Sequence, residues 1–181
     1  MRPARRDAIR FVLVALPLLV VCLGLYAALI QPYESAVVRV TNLGLARLSR
    51  PYLLEVDPDG VLSMYAVTSD GARKLTTPRP HGVFLSLALI PTLLLATPAP
   101  LRERLRWLLV ALPLLFASHV AAVLVMYRAH LALRDDPGSL PYEVLFGLAV
   151  RSGQLIAVAL WAFLTWRFWL GGSGPSHAPD R

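Results

Sequence analysis

The sequence predicts an α-helical polytopic membrane protein with four transmembrane helices and a small extracytoplasmic β-meander between helices 1 and 2. Three observations predict it. Four long apolar runs divide the chain, and most approach the ~20 apolar residues that cross a ~30 Å hydrocarbon layer. Of the 181 residues, 56% are apolar and 16% charged, whereas about a quarter of an average soluble domain is charged. The arginines are also unevenly shared among the loops, as the positive-inside rule requires of a membrane chain.

Residues 1–10 form a basic cytoplasmic N-terminus, in which Arg2, Arg5, Arg6 and Arg10 stand against Asp7 alone. Residues 11–30 form the first transmembrane helix, with Pro17 near its middle. The run is longer than the apolar stretch of a signal peptide, and no small-x-small site follows it, so it reads as an uncleaved anchor. Gln31 and Pro32 mark the membrane exit. Beyond them Tyr33, Val37, Val38, Val40, Leu45 and Leu48 recur at near-helical spacing, which predicts an amphipathic helix over 34–49.

Residues 31–82 form the extracytoplasmic module. Within it, 52–56, 61–67 and 72–76 read as strands separated by Asp57-Pro58-Asp59-Gly60 and Thr68-Ser69-Asp70-Gly71, sequences rich in turn formers. A three-stranded sheet this small cannot hold its own core and must lean on a helix, a membrane or a partner. Its apolar residues Tyr52, Leu54, Val61, Met64, Tyr65 and Val67 are the candidate binding residues.

Residues 83–97 are a short second transmembrane run containing Pro91, and 98–104 are a cytoplasmic loop with Arg102, Glu103 and Arg104. Residues 105–127 form the third transmembrane helix, 128–144 an extracytoplasmic loop and 145–170 the fourth helix. That helix ends in Trp161, Phe163, Trp166, Phe168 and Trp169 around Arg167, an aromatic belt at the cytoplasmic interface. Residues 171–181 are a disordered cytoplasmic tail. Both termini are therefore expected inside, in a bacterial cytoplasmic (inner) membrane, since 17 arginines against one lysine suggest a GC-rich bacterial genome.

Several function classes are disfavoured. The net charge of +7 lacks the basic face with interleaved aromatics that a nucleic-acid footprint requires. One cysteine, Cys22, allows neither an intramolecular disulfide nor a multi-thiolate metal site. No phosphate-cradling loop, zinc motif or intramembrane carboxylate pair is present. No cofactor or metal is expected, and a small transporter or channel subunit fits poorly because few polar residues interrupt the helices.

One polar constellation remains. Counting the helical rise from the expected outer helix ends puts Cys22 and His119 at a similar depth, with Arg151, Ser152 and Gln154 near the same level. Ionisable residues inside a membrane point to function by default. A cysteine nucleophile activated by His119, with Arg151 stabilising an oxyanion, is the functional reading. In the structural reading Cys22 packs, His119 bonds Gln154 or Ser152 across the bundle, and Arg151 reaches the headgroups. The structural reading is preferred, because common depth does not establish common facing and most free cysteines are inert.

The order of parts carries a resemblance. An N-terminal helix and an outer β-module are followed by Leu95-Ala96-Thr97-Pro98, then Leu101-Arg102-Glu103-Arg104-Leu105-Arg106 leading into 108–119. This arrangement resembles the exosortase H-associated membrane proteins. The resemblance implies a non-enzymatic accessory of an exosortase-type sorting system, whose partners would be an exosortase or its exported substrate. Exosortases themselves resemble one another through a cysteine in a P-x-x-C-S-G-like setting followed by arginine and histidine. Here Val20-Val21-Cys22-Leu23-Gly24 lacks that setting and the order is Cys22, His119, Arg151, so no active site carries over. A membrane-embedded cysteine transpeptidase of the exosortase class is the alternative.

Overall fold

The computed structural model describes residues 3–46, 52–57, 62–68, 71–76, 84–135 and 141–170. In chain order these form α1 (Pro3–Ala46), β1 (Tyr52–Val56), β2 (Leu62–Thr68), β3 (Gly71–Thr76), α2 (Ser86–Ala96), α3 (Leu101–Asp135) and α4 (Pro141–Leu170). The chain is thus mostly helical, and α1 and α3 are each long and apolar enough to cross a membrane. The turns at 58–61 and 69–70 and the tail at 171–181 lie outside the described residues.

The predicted anchor and the predicted surface helix are one element. α1 runs unbroken for 44 residues through Pro17 and Pro32, a rod of ~66 Å. Pro32 removes one backbone donor and disfavours the preceding turn. It nevertheless fails to end the helix because the apolar stripe continues across it. Tyr26, Ile30 and Tyr33 precede Val37, Val38 and Leu45 on the same packed face, at the three- and four-residue steps that keep one side of a helix inward. Packing on both sides of the proline outweighs the lost bond.

The second predicted span shrinks to a buried inner helix. α2 has 11 residues, ~16 Å long and about half a hydrocarbon thickness. It touches α1, α3 and α4, and Ile90 and Leu94 are fully enclosed with Ala111, Leu115 and Ala157. A helix that is apolar all round belongs in such a centre. Its C-terminal end is capped from outside. The Arg104 guanidinium donates to the carbonyls of Leu95 and Ala99, both at 2.7 Å, while Thr97 Oγ1 donates to Leu93 O. These bonds satisfy acceptors that a helix end leaves open.

The three strands form the expected antiparallel meander in the order β1-β2-β3. Leu53 faces Tyr65 and Leu54 faces Met64 across β1 and β2, while Thr68 pairs with Gly71 across β2 and β3. Gly71 has φ +117°, a conformation that a side chain at this turn would strain.

The sheet leans on α1. Asn42 Nδ2 donates to Leu54 O at 2.7 Å, and Leu54 N donates to Asn42 Oδ1 at 3.0 Å. The helix side chain thereby imitates a neighbouring strand and occupies the outer edge of β1. Leu54 and Met64 enter a core with Val37, Val38, Leu45, Phe84, Val123 and Met126. Replacing Asn42 with Leu removes both bonds and strands a backbone donor and acceptor. An unmet buried polar group costs about 1–3 kcal/mol. Hydrogen exchange at Leu54 and its β1 neighbours should therefore accelerate in Asn42→Leu by at least about tenfold, the equivalent of 1.4 kcal/mol, while exchange in α2 stays unchanged.

Candidate functional site

Among the described residues, His119 is the most buried titratable side chain of the bundle, with 0% exposure. Tyr33 Oη lies 2.6 Å from its Nδ1 and Ser86 Oγ lies 2.7 Å from its Nε2. One residue each from α1, α2 and α3 therefore meets at a single imidazole. Three aromatic rings enclose the group. Phe84 stands edge-on to the imidazole at 5.1 Å, Tyr33 does so at 5.6 Å, and Phe116 packs on Tyr33 at 5.8 Å.

Local sequence accounts for this meeting. Ser86 opens α2, where a short polar residue is compatible with a helix start. Tyr33 continues the inward stripe of α1, and His119 lies three residues from Phe116 on α3, so the two share a face. Neutral imidazole has one donor and one acceptor, and a hydroxyl lies within bonding distance of each ring nitrogen in a buried enclosure.

The serine and imidazole have the spacing of a nucleophile and its base. The remaining partner is a phenol where acyl-transfer triads have a carboxylate, and Ser86 is itself 0% exposed. What this arrangement does chemically is join three helices through polar bonds in an apolar environment. Such bonds contribute roughly 0.6–2 kcal/mol each between membrane helices.

Cys22 does not meet His119. Both ring nitrogens of His119 are engaged elsewhere, and Cys22 is a buried free thiol 11 residues before Tyr33 on α1, or ~16 Å along the axis. The common depth expected for Cys22 and His119 came from ending the first helix at residue 30. Because α1 continues, His119 sits level with Tyr33. The two ring nitrogens of His119 meet Tyr33 and Ser86, partners the sequence did not suggest. The side chains of Arg151, Ser152 and Gln154 lie outside those described.

The candidate binding residues also separate. Leu54 and Met64 are 3% and 2% exposed and serve as internal core. Tyr52 and Val67 belong to strands but their side chains lie outside those described, as does Val61 altogether. Of the six, Tyr65 is on the outer face of the sheet, with Leu53 opposite it. Leu53 is 40% exposed, and Glu55 and Lys74 are exposed beside it. Strand alternation, which sends neighbours to opposite faces, could have separated Leu53 from Leu54 in advance.

Asp57 organises this outer face. Its carboxylate accepts from Lys74 Nζ at 2.6 Å, Ser63 Oγ at 2.7 Å and Tyr65 Oη at 2.8 Å. Lys74, Ser63 and Tyr65 hold its pKa down at about 2, and the same bond raises that of Tyr65.

No protein-family model matches the chain. No curated protein and no solved structure matches it either. The functional reading therefore draws on geometry and on the pattern of the sequence.

Two expectations follow from the site. His119→Phe removes its bonds to the Tyr33 and Ser86 hydroxyls and should destabilise the bundle by about 1–3 kcal/mol, measured by steric trapping in bicelles; Tyr33→Phe and Ser86→Ala should each lose less. Asp57 has a folded pKa below its unfolded value, so its stabilisation is complete above about pH 4. It fades as pH falls toward about 2. Pepsin cleavage within 52–76 should accelerate over that window in the wild type, and Asp57→Asn should flatten the dependence.

Proposed function

We propose that the chain is a non-enzymatic integral membrane accessory protein that docks through its extracytoplasmic sheet and helix faces on a membrane protein or an exported substrate. Four helical segments associate with the bilayer, α2 as an enclosed inner helix, with both termini on the cytoplasmic side of a bacterial inner membrane. The arginines at the starts of α1 and α3 support that orientation. The pattern resembling exosortase H-associated membrane proteins supports an exosortase-type sorting system as the setting.

One observation carries the docking role. The sheet is bound by two backbone-like hydrogen bonds to Asn42 of a helix long enough to cross a membrane, and that helix is fastened just below by His119. This is the construction of a rigidly held presenting surface. Leu53, Glu55, Tyr65 and Lys74 provide an apolar and mixed-charge face on its outer side. With both nitrogens of His119 engaged and Cys22 far along α1, the cysteine-transpeptidase reading is the weaker one.

The test is a native-membrane pull-down of the tagged chain with mass spectrometry. A version with 52–76 replaced by a Gly/Ser linker should lose a stoichiometric membrane partner that the wild type and Cys22→Ala both retain. Retention of that partner by the linker version would overturn docking through the sheet. Loss of sorting in Cys22→Ala, with the partner still bound, would favour the enzyme.

A further inference from the structure

The end of the bundle opposite the sheet gathers a cluster of aromatic rings and, among the described residues, several exposed arginines. Phe11 of α1 lies 5.6 Å from Trp161 and 5.9 Å from Trp169 of α4. Trp161 Nε1 donates to Thr97 Oγ1 at 3.1 Å, and Arg104 caps the turn between α2 and α3. These contacts bring the N-terminal part of α1, the α2–α3 turn and the last turns of α4 to one end.

Four exposed arginines surround it. Arg10 precedes Phe11, Arg102 and Arg106 lie one turn apart at the start of α3, and Arg167 precedes Phe168 and Trp169. Arg167 Cζ stands 5.7 Å from the Trp166 ring centroid, which leaves the guanidinium edge available to a pair of anionic oxygens. Asp7 and Glu103 are the described acidic residues here, and neither pairs with these arginines. The ion pair among the described residues is Lys74 with Asp57, at the other end. There, among the described side chains, Glu55 and Asp57 offset Arg39 and Lys74, so the described excess of exposed positive charge lies at the aromatic end.

We infer that Arg10, Arg102, Arg106 and Arg167, set around the Phe11, Trp161 and Trp169 rings, form a binding surface for the phosphodiester headgroups of anionic phospholipids. The guanidiniums supply forked donors that match phosphate oxygens, and the rings occupy the headgroup level, where amphipathic aromatics concentrate. Clustered basic side chains beside membrane helices attract anionic lipid in this way. The inference rests on the membrane reading given above, and it commits to lipid as the source of phosphate.

All four tryptophans of the chain, Trp107, Trp161, Trp166 and Trp169, report on this end, so their fluorescence reads it selectively. The full chain is reconstituted in phosphatidylcholine vesicles containing phosphatidylglycerol, with one lipid or the other brominated as a quencher. Brominated phosphatidylglycerol should quench at least about fivefold more effectively per molecule than brominated phosphatidylcholine, the contribution of a single basic side chain near an anionic surface. The preference should vanish when the four arginines become alanine and persist when they become lysine. The lysine version keeps the claim testable should the alanine version fail to fold.

Equal quenching by the two lipids in the wild type would overturn the inference. Loss of the preference on adding millimolar inorganic phosphate, but not equimolar chloride salt, would overturn the assignment to lipid in favour of a soluble anion. Release of the chain from vesicles by alkaline carbonate would instead defeat the membrane reading itself.

Discussion

The hydroxyl–imidazole–hydroxyl bridge from Tyr33 through His119 to Ser86 sits one residue beyond Pro32, where α1 has lost a backbone hydrogen bond. A proline inside a helix favours a kink or an end. Fastening the next residue to two other helices removes the freedom to bend. The direction of the upper part of α1 follows from this, and with it the position of Asn42. The position of Asn42 in turn sets where β1 lies. A sheet too small to fold alone is thereby held in place by an imidazole on another helix.

The two ends of the molecule have different physical characters. Around the sheet the described charges are balanced, and Asp57 collects three donors into a local network. At the opposite end four exposed arginines surround a cluster of aromatic rings. Between them α2 fills the centre with Ile90 and Leu94, its last carbonyls capped by Arg104. This cap lets a helix about half a hydrocarbon thickness long end beside the aromatic cluster with its last carbonyls satisfied. In the proposed membrane setting, the exposed leucines and valines of α1 and α3, among them Leu13, Val20, Leu109 and Leu114, would face hydrocarbon.

Much of this was legible in the residues. The meander was readable because turn chemistry is local: Asp-Gly and Asp-Pro sequences punctuate short apolar strands, and the pairing of Thr68 with Gly71 needs nothing distant. The continuity of α1 was hidden because Gln31-Pro32 has the look of an exit, while the evidence against one was a stripe whose value depends on what it packs against. The site was harder still. His119 stood out as a polar residue in an apolar run, yet its partners lie 86 and 33 residues away in sequence. Depth reckoned from a helix end set at residue 30 put Cys22 at its level in place of Tyr33. Choosing Leu54 and Met64 as surface residues ignored their face of the sheet, and the core claims both.

The most direct test of the account is a distance along α1. Nitroxide labels at Leu16 and Leu43, both exposed on the helix, in a Cys22→Ala background in nanodiscs would be separated by a backbone span of ~40 Å if the helix is continuous. Pulsed electron–electron resonance should then give one narrow distribution near that value, broadened when His119 becomes Phe. A wild-type distribution centred near ~29 Å, the separation for a right-angle break at Pro32, would contradict a single rod carrying the sheet.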